Sequence, residues 1–447
     1  MKQRFFAIAV PIFCNNLVLL LVLVSETFFL SKVSDDAVVG VNSALPMIYG
    51  CVAIIGTFVT VAMGRLGRAI GEGNEEKVKR AFSAGLLACL ACGLLLTFVQ
   101  IAVAPHLGHW LGLAPGAARA NELYIYGISP MCLLDGFFLT FTSFLYARGA
   151  ARKSLFASLT LLACSLCINT LLMFEVLPGC KLGPLTIALS TLISQLPPIA
   201  ILAIQLHWSG GFHICKDLRL DSETFAYIKA TIKDGIPACA EPLSVNLLQL
   251  VIISLISPFG TAPLAALAYC RNSMLLLVVA TSDAVGVATQ VLVSHAQGRI
   301  DFDGASKVMW RSIKLFVPAL FLVLVCIAGT SHFSGGIVGF FSQDQLVWVA
   351  AQNILGVFVF SETAKALSQV LSPSLRGSSD VLTPVMFAIA SHWIIGFWLA
   401  FLFSQYWGFV GVLCGLACAE CARALFNTFR WRAGVWRTNL QRQGATA

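Results

Sequence analysis

Residues 74–104 read NEEKVKRAFSAGLLACLACGLLLTFVQIAVA: five charged side chains in seven residues, then 24 residues with none. At ~1.5 Å of rise per residue the uncharged part makes a helix of ~36 Å, enough to cross a hydrocarbon layer ~30 Å thick. A helix satisfies its backbone polar groups within the segment, which an isolated strand or loop in lipid cannot do. The charged residues ahead of it mark where the chain leaves water.

The same pattern repeats along the chain. Spans are predicted at 6–31, 37–63, 81–104, 121–146, 155–176, 184–207, 234–257, 263–292, 312–333, 346–371, 381–404 and 408–429. The composition agrees: 58% hydrophobic and 11% charged residues over 447, with a mean hydropathy of +0.85, against about 45–50% apolar and about 25% charged in soluble domains. The first span follows Lys2 and Arg4 but is longer than a signal-peptide core and lacks a clear small-residue cleavage site, so it is expected to be retained.

With twelve spans both termini share one side. Of the 29 Lys and Arg, 24 then fall on that side, only Lys32, Arg119 and Lys181 on the other, and Arg271 and Lys365 inside spans. Basic loops stay on the cytoplasmic side, so both termini are expected there, in the inner (cytoplasmic) membrane of the cell. The net charge of +8 follows from this topology and implies no nucleic-acid partner. Fifteen cysteines, mostly inside spans, read as small buried hydrophobes, because the Cys-x-x-Cys pairs lack a second ligand pair at zinc-site spacing.

Marker residues recur at an offset of 226–228: Pro11 and Pro237, Gly71 and Gly298, Arg148-Gly149 and Arg376-Gly377. Six spans per copy is an even number, so the two copies enter the membrane in the same sense, related by an axis along its normal. The expected organisation is an N-lobe over 1–207, a polar cytoplasmic linker over 208–232, and a C-lobe over 233–447 with a basic tail.

Ionisable groups at bilayer depth are costly and mark candidate sites. Asp135 and Glu362 are repeat partners, ~17 Å and ~14 Å from the cytoplasmic ends of their spans. They either face each other across a central cavity or are neutralised within their own halves, Glu362 by Lys365 one turn away. Glu26 and Asn169, at matching depth in spans 1 and 5, could hold sodium, bind a proton at the carboxylate alone, or make an inter-helix hydrogen bond. Glu241, next to Pro242, and Arg271 complete the candidate substrate-cavity set of Asp135, Glu241, Arg271, Glu362 and Lys365. Asp283 and Glu420 are read as structural or interfacial. His392, Asn15, Asn16, Asn42, Asn246 and Gln249 are read as hydrogen-bonding or cavity-lining groups.

Several local patterns in this order resemble the multidrug and toxic compound extrusion (MATE) family over nearly the whole chain. They are Ala9-Val-Pro11 with Glu26 fifteen residues on, AMGRLGRAIGEGNEEKV from Ala62, Tyr146-Ala-Arg-Gly, Ile168-Asn169, Gly235-Ile-Pro and Leu375-Arg-Gly-Ser-Ser-Asp380. The resemblance implies an antiporter of two six-helix lobes that alternates its access and couples export to proton or sodium influx. It also implies that Glu26 is the acid, usually Asp, and Asn169 the amide of an N-lobe cation site. Met173 stands where many members place a second aspartate, which tilts the expectation toward protons. In the C-lobe, Lys365 stands where members with a cation site there often carry an acid, and Val245 replaces their span 7 acid.

The expected function is export of amphipathic small molecules by a monomer embedded in membrane lipid, with no cofactor beyond the coupling ion. A flippase for lipid-linked or glycan-bearing substrates is the alternative, although related flippases often have fourteen spans. A membrane-embedded transferase is a poorer fit, because the chain has no His-Glu-x-x-His motif and no concentrated His/Asp cluster.

Overall fold

The computed structural model describes residues 2–30, 35–174, 183–210, 221–334, 345–378 and 380–438. Lys32, Lys181, Lys216, Arg219 and Arg442 of the charge count, and residues 211–220 of the expected linker, lie outside them. Among the described residues the chain is helical: α1 (Lys2–Leu30), α2 (Asp35–Glu72), α3 (Glu75–Trp110), α4 (Pro115–Ile128), α5 (Met131–Ala147), α6 (Ala151–Met173) and α7 (Pro184–Gly210). There follow α8 (Ser222–Ala238), α9 (Ala240–Ile256), α10 (Thr261–Gly298), α11 (Phe302–Ser334), α12 (Gln345–Gly377), α13 (Leu382–Ala390) and α14 (Trp398–Arg432).

Nine continuous helical stretches among the described residues are long and apolar enough to cross a membrane, and the pair α4–α5, bent by 46°, makes a tenth. The bend falls at Pro130, which has no N–H to give the preceding turn. One of the nine, Leu382–Arg432, is 51 residues long and contains two expected spans. It reverses at Gly408, whose φ of 60° and ψ of −142° suit a residue without a Cβ. Beyond the reversal Gly411 lies against the Phe403 backbone, Gly415 against Ala400, and Gly396 beside Ala419, so the two arms run antiparallel. With the 38-residue α10 the structure is a twelve-helix, two-lobe membrane fold.

The chain divides into two compact units, Met1–Ile236 and Pro237–Ala447, and the division falls inside α8. In the first unit α1 packs on α6, α2 on α3, α4 and α5, and α7 on α4, α5 and α6. Its core holds Leu66, Phe82, Phe141 and Phe144, with the Phe82 and Phe144 rings edge to face at 4.9 Å. In the second unit α10 packs on α12, and both join α9 and α14 around Ile256, Val278, Ile354 and Val412.

Polar caps fix where the helices of the first unit turn. Gly73 (φ 72°) reverses the chain, and the Asn74 side chain accepts from the Lys77 N–H at 3.1 Å, with Glu75 and Glu76 in the first turn of α3. Arg148, at the end of α5, grips both oxygens of Glu75 at 2.9 and 2.5 Å. This pair puts the α2–α3 and α5–α6 turns on one face. Arg65 pairs with Asp234, and Arg80 with Asp221 (3.2 Å) and Glu223, which ties the start of α8 to the same face. The Thr224 hydroxyl and backbone N–H, both 2.7 Å from Asp221, hold that carboxyl below its ordinary pKa.

Candidate coupling and cavity sites

In the first unit two adjacent residues of α7 organise the polar interior. Thr191 donates to the Glu26 carboxylate at 2.9 Å. Ser190 donates to the Asn169 amide oxygen at 2.5 Å, while the Asn169 amide reaches Ser165 at 3.3 Å. The two candidate coupling residues, on α1 and α6, are therefore brought to one step of a third helix. Asn169 is fully buried, and Tyr49 of α2 and Tyr124 of α4 stand within electrostatic reach of Glu26. The local donor set is one carboxylate, one amide oxygen and two hydroxyls. Hard oxygens of this kind suit a proton or a small hard cation. Met173, one turn beyond Asn169, adds no oxygen.

The Ser190-Thr191 pair was readable only as two polar residues in an apolar span, and nothing local sets its rotation toward α1 and α6. Asn15 plays the bonding role expected of it, accepting from Ser158 across the α1–α6 contact.

Asp135 is buried on α5 and accepts from Gln195 of α7 at 2.7 Å. Its second oxygen has no hydrogen-bond partner among the described residues. Its repeat partner Glu362 lies 3.5 Å from Lys365 on α12. Each acid thus has a partner inside its own unit.

The second unit holds a partly open cavity of about 150 Å³. Its walls are apolar, from Leu248 and Ile252 of α9, Phe358 of α12 and Leu416 of α14, while Gln249, Ser361, Glu362, Lys365, His392 and Glu420 supply its polar lining. Residues Ser391–Phe397, between α13 and α14, form a π-helical segment. Such one-turn widenings recur at functional sites, because the looser ladder re-aims a side chain. Here it carries His392, which is 4% exposed. Its Nε2 faces Glu420 at 3.2 Å, and its Nδ1 has no hydrogen-bond partner among the described residues. Trp393, the next residue, donates to Ser244 of α9 at 2.7 Å and pins the segment.

Behind the cavity the charges are chained. Arg423 stands 3.8 Å from Glu420 and also pairs with Glu241, which meets Arg376 at 3.3 Å. Glu241, expected to line the substrate cavity, is held between these two arginines and is not among the residues lining this one. Charge counting assigns Arg376, in the loop after span 10, and Arg423, inside span 12, to the basic side. They are instead largely buried, because Glu241 at the start of α9 draws both inward. Asp283 is exposed, within electrostatic reach of Lys365 and Arg376. The Arg271 side chain lies outside the described residues. No motif announced the π segment, since it shows no break in hydropathy.

Twelve helices in two units, with a polar centre in each, define a multi-pass membrane transporter fold, and comparison with known proteins names the group. The MatE family model matches twice, over residues 11–172 and 237–402, which reproduces the internal repeat. The chain belongs to this family, the MATE transporters. It is similar to the uncharacterized transporter YisQ of Bacillus subtilis, 25% identical over 96% of this chain and 94% of that one. It is also similar to the probable multidrug resistance protein NorM of Oceanobacillus iheyensis, 23% identical over 95% and 96%. In fold it matches the crystal structure of the eukaryotic MATE transporter AtDTX14, with a TM-score of 0.85 and 15% identity over 99% and 97% of the two chains. A Pyrococcus furiosus transporter of the MOP superfamily, described as having a binding pocket of reverse polarity, matches with a TM-score of 0.85 at 14% identity over 98% and 96%.

Proposed function

We propose that this transporter is a proton-driven antiporter that exports amphipathic small molecules by alternating access, as a monomer in the bacterial inner membrane with both termini cytoplasmic. The observation that carries the reading is the meeting of Glu26 and Asn169 at Ser190-Thr191. A carboxylate on one helix, hydrogen-bonded to a hydroxyl on another, changes its partners when it gains a proton, since the protonated form donates and the ionised form only accepts. Proton binding at Glu26 then alters how α1 seats against α6 and α7. Sodium is the weaker choice, because the side chain one turn from Asn169 is a thioether rather than a carboxylate.

The substrate is assigned to the second unit's cavity, whose apolar walls take its hydrocarbon part. The names of the NorM relatives support multidrug export as the physiological task. The Lys365–Glu362 pair gives the cavity both signs of charge, and Lys365 supplies a counter-charge for anionic or zwitterionic amphiphiles. Glu26→Gln is expected to abolish transport driven by an imposed proton gradient in liposomes while leaving folding and substrate binding in place. Undiminished gradient-driven export by this variant would remove Glu26 from the mechanism, and export driven by sodium alone would overturn the ion assignment.

A further inference from the structure

A groove of about 500 Å³ lies at the inner end of α11, on the side of the basic loops, lined by Asp303, Ser306, Lys307, Trp310, Arg311, Lys314 and Arg437. Its second wall is a hook after α14. Gly434 (φ 68°) turns the chain, and Trp436, 1% exposed, stacks on Trp431 at 4.6 Å and donates to the Trp431 carbonyl at 3.1 Å. The Trp436 ring meets Phe302 edge to face at 5.8 Å. This anchoring sets Arg437 against Asp303 at 3.2 Å, and Arg432 over the Trp310 ring at 5.0 Å.

Lys307, Arg311 and Lys314 are exposed, and no ion pair is formed by any of them among the described residues. At spacings of four and three residues they share one face of α11. Among the described residues lining the groove the one carboxylate, Asp303, pairs with Arg437. Three uncompensated cations thus converge in a groove with built walls.

What lies beyond Lys314 on the same face narrows the ligand. Phe321, Leu322 and Val325 continue the stripe and are 39%, 64% and 43% exposed, and only 17% of the spanning window of α11 is buried inside the protein. From Lys314 to Val325 the helix rises ~17 Å, a length comparable to an acyl chain in one leaflet. Trp310 sits at the junction, where an amphipathic ring prefers the membrane interface.

We propose that this groove is a binding site for an anionic phospholipid. Lys307, Arg311 and Lys314 take the headgroup phosphate, Ser306 donates to it, and the acyl chain lies along Phe321, Leu322 and Val325. The charge on this side of the protein then fixes α11, a lipid-facing helix, at a set depth in the leaflet.

The test is native mass spectrometry and thermal shift on the purified full chain in neutral detergent, with phosphatidylglycerol, phosphatidylcholine or inorganic phosphate added. The wild type is expected to retain phosphatidylglycerol over phosphatidylcholine, and inorganic phosphate at the same concentration is expected to give no protection. A basic group near an anionic surface is worth about a five-fold gain, so Lys307→Gln/Arg311→Gln/Lys314→Gln should weaken phosphatidylglycerol binding by on the order of a hundred-fold. The control Arg152→Gln/Lys229→Gln/Lys233→Gln removes as many charges elsewhere and should leave binding within about two-fold of the wild type. If the triple variant does not fold, Arg311→Gln alone should lose about five-fold. Equal loss in the control, equal retention of phosphatidylcholine, or equal protection by inorganic phosphate overturns the proposal, the last in favour of a free-phosphate site.

Discussion

Replacing Glu241 by glutamine separates two roles for the second unit's polar interior. The carboxylate sits between Arg376 and Arg423, whose side chains are 13% and 9% exposed, and is itself 8% exposed. Removing one partner of a buried ion pair costs about 3–5 kcal/mol, because the remaining charge keeps its desolvation penalty and loses its compensation. Glutamine keeps the volume and one acceptor oxygen, so the expected loss lies at the lower end, about 3 kcal/mol. At about 2–4 °C per kcal/mol for a unit of this size, the apparent melting temperature in detergent should fall by roughly 6–12 °C. Adding Arg423→Met should recover at least half of that, since it removes one orphaned cation and leaves Glu420 to His392. A Glu241→Gln protein that melts within about 2 °C of the wild type but binds substrate less tightly would refute this reasoning and place Glu241 in the binding site.

Lys365→Ala should weaken binding of anionic amphiphiles selectively, and Lys365→Glu should shift preference toward cations, as read by fluorescence titration. If the double change Lys365→Ala/Glu362→Ala restored both stability and selectivity, the pair would be structural only. Gly408→Ala should lower the melting temperature by an amount corresponding to about 1–3 kcal/mol, because alanine is forced into a conformation that L side chains rarely adopt; an unchanged melting temperature would show that the reversal can form elsewhere. In a cysteine-depleted background, Gly112→Cys should react with impermeant reagents from outside intact cells and Asn74→Cys should not, and the opposite labelling would invert the assigned orientation.

How much of this was legible in advance follows from the range of the forces involved. The spans could be read residue by residue, because a helix in lipid must satisfy its backbone locally and each segment therefore carries its own apolar signal. The basic asymmetry and the repeat of Pro11 at Pro237 likewise need no folded chain. Glu26 and Asn169 could be matched in depth from counting alone, since rise per residue is fixed. Rotation about the helix axis is not fixed by counting, so Ser190-Thr191, the hydroxyl pair that joins them, was invisible until α7 was packed against α1 and α6.

The second unit shows the limit more sharply. Charge counting assigns Arg376 and Arg423 to the basic side, and it has no means of pulling them inward to Glu241, more than 130 positions away for either of them. The π segment at Ser391–Phe397 leaves the hydropathy profile untouched, because it changes the pitch of the ladder and not the residues in it. The sequence by itself thus determined the number of crossings, because each one must satisfy its backbone locally in the medium it crosses. Which charges share a partner depends on the packing of one helix on another, and only the tertiary structure decided it.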